Sequence, residues 1–134
     1  MRSLIALSVT AILAVGCSAE APIPTPAPVQ VSWDDLNEMV EAFGYEQGIR
    51  QFCEDPAATS QNDFLAELEA IAGFDADLLE RAKNRASEVQ AEFDDADPEE
   101  EQEYVCTGEM FESSEDRANI ARQKWAELKE QVNE

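Results

Sequence analysis

Residues 77–93 read DLLERAKNRASEVQAEF, and the spacing of their apolar members decides the fold class. Leu79, Ala82, Ala86, Val89 and Phe93 step by 3, 4, 3 and 4, so a helix gathers all five on one face. Asp77 and Glu80 stand at capping-box spacing at its start. A half-buried strand would instead alternate with period two, and no run of the chain does so.

The same step recurs on both sides. Downstream, Ala118, Ala121, Trp125, Leu128 and Val132 repeat it, with Ser113 or Ser114 placed to cap that helix. Before it, Asp97-Pro98-Glu99-Glu100 reads as a cap, a proline at the first helical position and an acid at the third, leading to Tyr104, Val105, Cys106, Met110 and Phe111. Upstream, Ser60-Gln61-Asn62-Asp63 resembles a capping box ahead of Phe64, Leu68 and Ile71, and Gly73 is placed as a C-cap. Earlier still, Ser32 precedes Asp34 and Asp35 as an N-cap, and Trp33, Leu36, Val40 and Phe43 form an apolar face. Gly44 and Gly48 interrupt that face, and Ile49, Phe52 and Cys53 fall on a rotated one. The pattern predicts a kink, or two short helices, ending by Pro56. Residues 32–134 are therefore expected to form an all-α bundle of four to five helices with short connections. Trp33 and Trp125 sit on apolar helical faces, which assigns them to packing first and to partner contact second.

The first 31 residues read differently. Arg2 is followed by an apolar run from Leu4 to Val15, too short to span a hydrocarbon core that needs about 20 residues of helix. Gly16 directly before Cys17 looks like a bacterial lipobox, with Ala14 where leucine is usual. That resemblance implies residues 1–16 as a signal peptide, acylation of Cys17 and an address outside the cytoplasm; Ser18 then implies the outer membrane. The competing reading is ordinary cleavage after Ala19-Glu20-Ala21. Pro22, Pro24, Pro26 and Pro28 exclude helix, so residues 17–31 form a Pro-rich tether. At about 3.1 Å per residue, such a tether holds the bundle ~30–40 Å from the bilayer. Several acyl chains give a stable membrane anchor where one alone is marginal.

The charge excludes whole classes of function. The 134 residues carry 30 acids against nine basic residues, a net −21. Duplex and phosphate binders need basic surfaces, so nucleic acid is excluded as a partner. Histidine, the commonest general base and metal ligand, is absent from the sequence. The acidic run Asp94–Glu103, seven acids in ten residues, invites calcium. Counted from Asp95, however, positions 6 and 12 of an EF-hand loop hold Glu100 and Cys106 rather than glycine and glutamate. No nucleophile elbow, phosphate loop or Cys/His constellation occurs, so a binding protein without cofactor or metal is expected rather than an enzyme. Once Cys17 is lipidated, Cys53 and Cys106 have only each other to pair with in an oxidising compartment.

The order of these features resembles the type II secretion pilotins of the PulS/OutS type. These are small outer-membrane lipoproteins with a tether and a helical domain closed by one disulfide. The matching stretch runs from Leu36 through Tyr45 to Cys53, then through 66–74 and Leu78-Leu79 to Glu103 and Cys106, ending around Leu128. The acidic run before Cys106 is heavier than the family's. The resemblance implies a module that binds the C-terminal segment of a secretin subunit and takes it to the outer membrane, with the domain facing the periplasm. Such binding is helix-in-groove recognition, driven by apolar burial. The residues least committed to a single face around the glycine interruption, Phe43, Tyr45, Ile49 and Phe52, are the expected groove. The rival expectation is an acidic envelope lipoprotein that binds or inhibits a cationic periplasmic protein.

Overall fold

The computed structural model describes residues 30–53, 55–96 and 104–132. Cys17, the proline run and the segment 97–103 lie outside them. Four long helices follow one another: α1 (Trp33–Cys53), α2 (Ser60–Ala70), α3 (Ala76–Asp94) and α4 (Glu109–Val132). Residues 104–106 add a short helical turn before α4, and no strand occurs among the described residues. The fold is an all-α bundle.

Helix α1 is the axis. It packs against α2, α3 and α4, while α4 makes backbone contact with α1 alone. The sequence of α1 explains this position. Leu36, Met39, Val40, Ala42, Phe43 and Ile49 are all buried, spread around the helix rather than along one stripe. Removing the larger of these from water contributes about 1.5–3 kcal/mol each.

The glycines do not break it. Helix α1 runs continuously through Gly44 and Gly48, one helix rather than the pair of short helices that the sequence also allowed. The glycines are there because neighbours lie against the bare backbone. A β carbon at position 44 would come within 2.8 Å of Val89 Cγ1, and one at position 48 would collide with the Phe93 ring. Phe43 and Ile49, on either side of the glycines, are both buried, because α1 has neighbours on several sides.

The caps were foreseen in kind and misplaced in position. Ser32 caps α1 as expected, its Oγ accepting from Asp35 N at 3.2 Å. The cap of α3 is Asp75, whose carboxylate accepts from the backbone N–H groups of Asp77 and Leu78, so the expected Asp77–Glu80 box is corrected. No local side chain caps α2. Gln47 of α1 instead accepts from Gln61 N and Asn62 N at 2.9 and 3.1 Å, a tertiary cap that also satisfies a buried amide. Ser114 lies inside α4, with its hydroxyl donating to Phe111 O, so neither Ser113 nor Ser114 starts that helix. The chain instead turns into α4 at Gly108, whose φ of +87° is in the left-handed region.

The disulfide closes the bundle. Cys53 ends α1 and Cys106 precedes α4; the two are bonded, with Cα atoms 5.4 Å apart.

Candidate functional site

Of the concave surfaces along α1, two contain expected groove residues. No Cα atoms of α2 and α4 approach within 8 Å of each other, and a cleft of about 490 Å³ opens between these helices. Its apolar wall is an aromatic row. The Phe64 ring lies 4.9 Å from Phe43 and stands perpendicular to Trp125 at 5.3 Å. Its polar part centres on Glu46 of α1, which is 1% exposed. Glu46 Oε1 accepts from the Ser60 hydroxyl at 2.5 Å and pairs with the Arg122 guanidinium. Across the opening, the Trp125 indole donates to Glu67 at 2.7 Å, and Lys129 pairs with the same carboxylate at 3.0 Å. The indole bond and the Lys129 charge outweigh burial and hold the Glu67 carboxyl below its ordinary range.

The second surface is a shallow groove between α1 and the first half of α4. It is lined by Tyr45, Ile49, Met110, Ser113 and Arg117, with Glu41 at one edge. Tyr45 is fixed in place: its hydroxyl donates to Glu92 at 2.8 Å and its ring meets Phe93 edge-on at 5.7 Å. Donation to an anion, with burial, raises its pKa. Burial alone would raise the Glu41 carboxyl, but bonds and charge from Arg85, at 2.8 Å, and Arg117, at 3.1 Å, keep it lowered.

The expected groove residues divide between these surfaces. Tyr45 and Ile49 share the α1–α4 groove, although Ile49 itself is buried. Phe43 is a core residue that borders the opposite cleft, which separates it from Tyr45 as a groove partner. Phe52 is half-buried and lines neither surface. The reason is geometric for Phe43, which at about 100° per residue lies about 160° around α1 from Tyr45; Phe52 shares the side of Tyr45 and Ile49 but sits in the last turn of the helix. Sequence reasoning missed Met110 as a groove residue and Glu46 altogether. Met110, at 44% exposed, continues the Ala118–Trp125 face about two turns before Ala118 and could have been found as an apolar residue beyond the buried part of that face; nothing local marks Glu46.

Charge is distributed unevenly between inside and outside. Each of the eight basic residues among the described ones rests on a neighbouring carboxylate or ring. Most of these contacts join helices, as Lys124 does in reaching Asp35 at 2.6 Å and Glu38 at 3.1 Å of α1. Arg81 covers the Trp33 ring at 4.0 Å. The acids in excess are left to face solvent. Among the described residues no group of three or more Cys, Asp or Glu converges to hold a metal ion, and no helix is long and apolar enough to cross a membrane.

These elements define a class: a small, acidic, disulfide-closed helical bundle with clefts on both sides of a central helix. No family model, curated relative or solved structure matches the chain.

Proposed function

We propose that the chain is a lipid-anchored binding module of the secretin-pilotin kind, which seats an amphipathic segment from the C-terminus of a secretin subunit and carries it to the outer membrane. The observation that supports this reading best is the α1–α4 groove, where Tyr45 and Ile49 lie beside the exposed Met110. A partly apolar trough along a helix pair suits an amphipathic helix, which places side chains at i, i+3 and i+4. The disulfide supports it further, because it ties the end of α1 to the short turn that leads into α4.

The internal pairing of the described cations favours a second reading, in which the acidic exterior attracts a cationic envelope protein. Salt separates the two, since contacts between exposed charges fade as the Debye length shrinks from about 10 Å at 0.1 M to about 3 Å at 1 M. The test uses the unlipidated Cys17→Ser chain and the C-terminal peptide of a secretin encoded in the same genome. Salt-resistant binding with gain of peptide helicity, weakened by Met110→Asp, supports the pilotin. Binding that vanishes at high salt favours the acidic-surface reading, and no binding at either salt removes the pilotin.

A further inference from the structure

The cleft between α2 and α4 is lined by Glu46, one of whose carboxylate oxygens the bundle leaves without a hydrogen-bond donor. Glu46 is 1% exposed, and while its Oε1 holds Ser60 and Arg122, its Oε2 accepts no hydrogen bond. The nearest cation, Arg50 Nη2, stands 3.9 Å away and is drawn aside to Glu115 at 3.3 Å. A buried carboxylate oxygen without a donor has lost its hydration without replacement, so a donor arriving there has that penalty to relieve.

The surroundings select the donor. Glu46, Asp55, Asp63 and Glu67 line the cleft against Arg50, Arg122 and Lys129. Those cations are already engaged, by Glu115, by Glu46 Oε1 and by Glu67. The local balance is negative and the whole chain carries −21, so the field at the opening favours a positive guest. The rings of Phe43 and Trp125 already carry cations at 5.6 and 5.5 Å, and the Phe64 ring lies between them.

We infer that this cleft is a slot for one basic side chain of a partner protein, with the charged head of a lysine or arginine donating to Glu46 Oε2 and its aliphatic stem lying along Phe64 and Trp125. The slot goes beyond the groove reading: it lies on the other side of α1 and holds for any partner segment that presents a basic residue.

The chain carries its own reporter and control. Trp125 lines the slot, whereas Trp33 lies outside it under Arg81. The probes are the acetylated amides of arginine and lysine, with that of citrulline as the neutral isostere of arginine. They are titrated into the intact disulfide-bonded protein while both indole N–H resonances are followed by nitrogen-edited NMR. The expected result is a saturable shift of the Trp125 resonance with arginine or lysine, a still Trp33, and citrulline weaker by about tenfold, the difference between a charge-assisted and a neutral hydrogen bond. The relative strength of the two cationic probes identifies the preferred head. Glu46→Gln, which keeps the shape and removes the charge, should abolish the preference for arginine over citrulline. Equal binding of citrulline and arginine to the wild type overturns the slot in favour of a neutral donor. A Trp125 resonance that no probe moves overturns it too, with Arg50 then serving Oε2. Both of these readouts need no variant, so they decide the matter even if Glu46→Gln fails to fold.

Discussion

Gly48 of α1 lies directly under the ring of Phe93 of α3, so close that a β carbon on the glycine would enter the ring. This approach brings α1 and α3 together, and it turns a residue that reads as a helix breaker into a packing requirement. Gly48→Ala would gain about 1 kcal/mol of helix propensity, but overpacking costs typically 1–3 kcal/mol. The expected net loss is up to about 2 kcal/mol, measured by urea unfolding. Adding Phe93→Leu, which withdraws the ring, should make the double variant cost less than the sum of the two singles. Full additivity would mean that the contact does not limit the packing.

The disulfide joins residues 53 positions apart. In the chain-entropy treatment, closing such a loop stabilises the fold by about 4 kcal/mol, so reduction should lower the urea midpoint markedly while leaving much of the far-ultraviolet helix signal. Non-reducing peptide mapping should recover Cys53 and Cys106 in one fragment. Recovery of two free thiols from native protein after alkylation would contradict the pairing.

Glu41 accepts from both Arg85 and Arg117, tying α1 to α3 and to α4. Glu41→Gln is therefore expected to cost about 1.5–3 kcal/mol at neutral pH, the range for hydrogen bonds to charged groups. The folded pKa is lowered, so the unfolded chain takes up the proton more readily. The stabilisation is thus fully present above the ordinary glutamate value of 4.5 and is lost as pH falls through the lower folded value. The stability gap between wild type and variant should accordingly shrink on acidification below about 4.5. A gap that stays constant down to the acid transition would show that Glu41 acts through packing rather than charge.

Cys17 precedes the described residues, and its expected role comes from the lipobox-like Gly16-Cys17 pair alone. Cys17→Ser should abolish acylation and release a soluble form, detected by intact mass and by partition between membrane and soluble fractions. A wild-type chain that is unlipidated and begins at Pro22 would favour the ordinary cleavage site instead.

Several features were legible before any coordinates. The 3-4-3-4 spacing of residues 79–93 and 118–132 marked two helices, and the buried residues Ala82, Ala86, Val89, Ala118, Ala121 and Trp125 fall on those faces. The pairing of Cys53 with Cys106 was expected with Cys17 assigned to lipidation, and the two are bonded. The candidate site was half legible: Tyr45 and Ile49 line a groove, but Phe43 and Phe52 do not share it.

What the sequence determined by itself was therefore local: the helical class, the Ser32 cap and the faces that each outer helix buries, because capping and amphipathic burial act within a few turns of chain. Tertiary structure alone decided what depended on neighbours distant in sequence. Gln47 became the cap of α2 from 14 residues away, and Glu46 was buried against Arg122 from 76 residues away. Gly44 and Gly48 became places of close approach. All four lie on α1 between Met39 and Cys53, where no residue is exposed and there is no solvent face for periodicity to reveal, so its polar and glycine residues acquire meaning only from what the other helices bring to them.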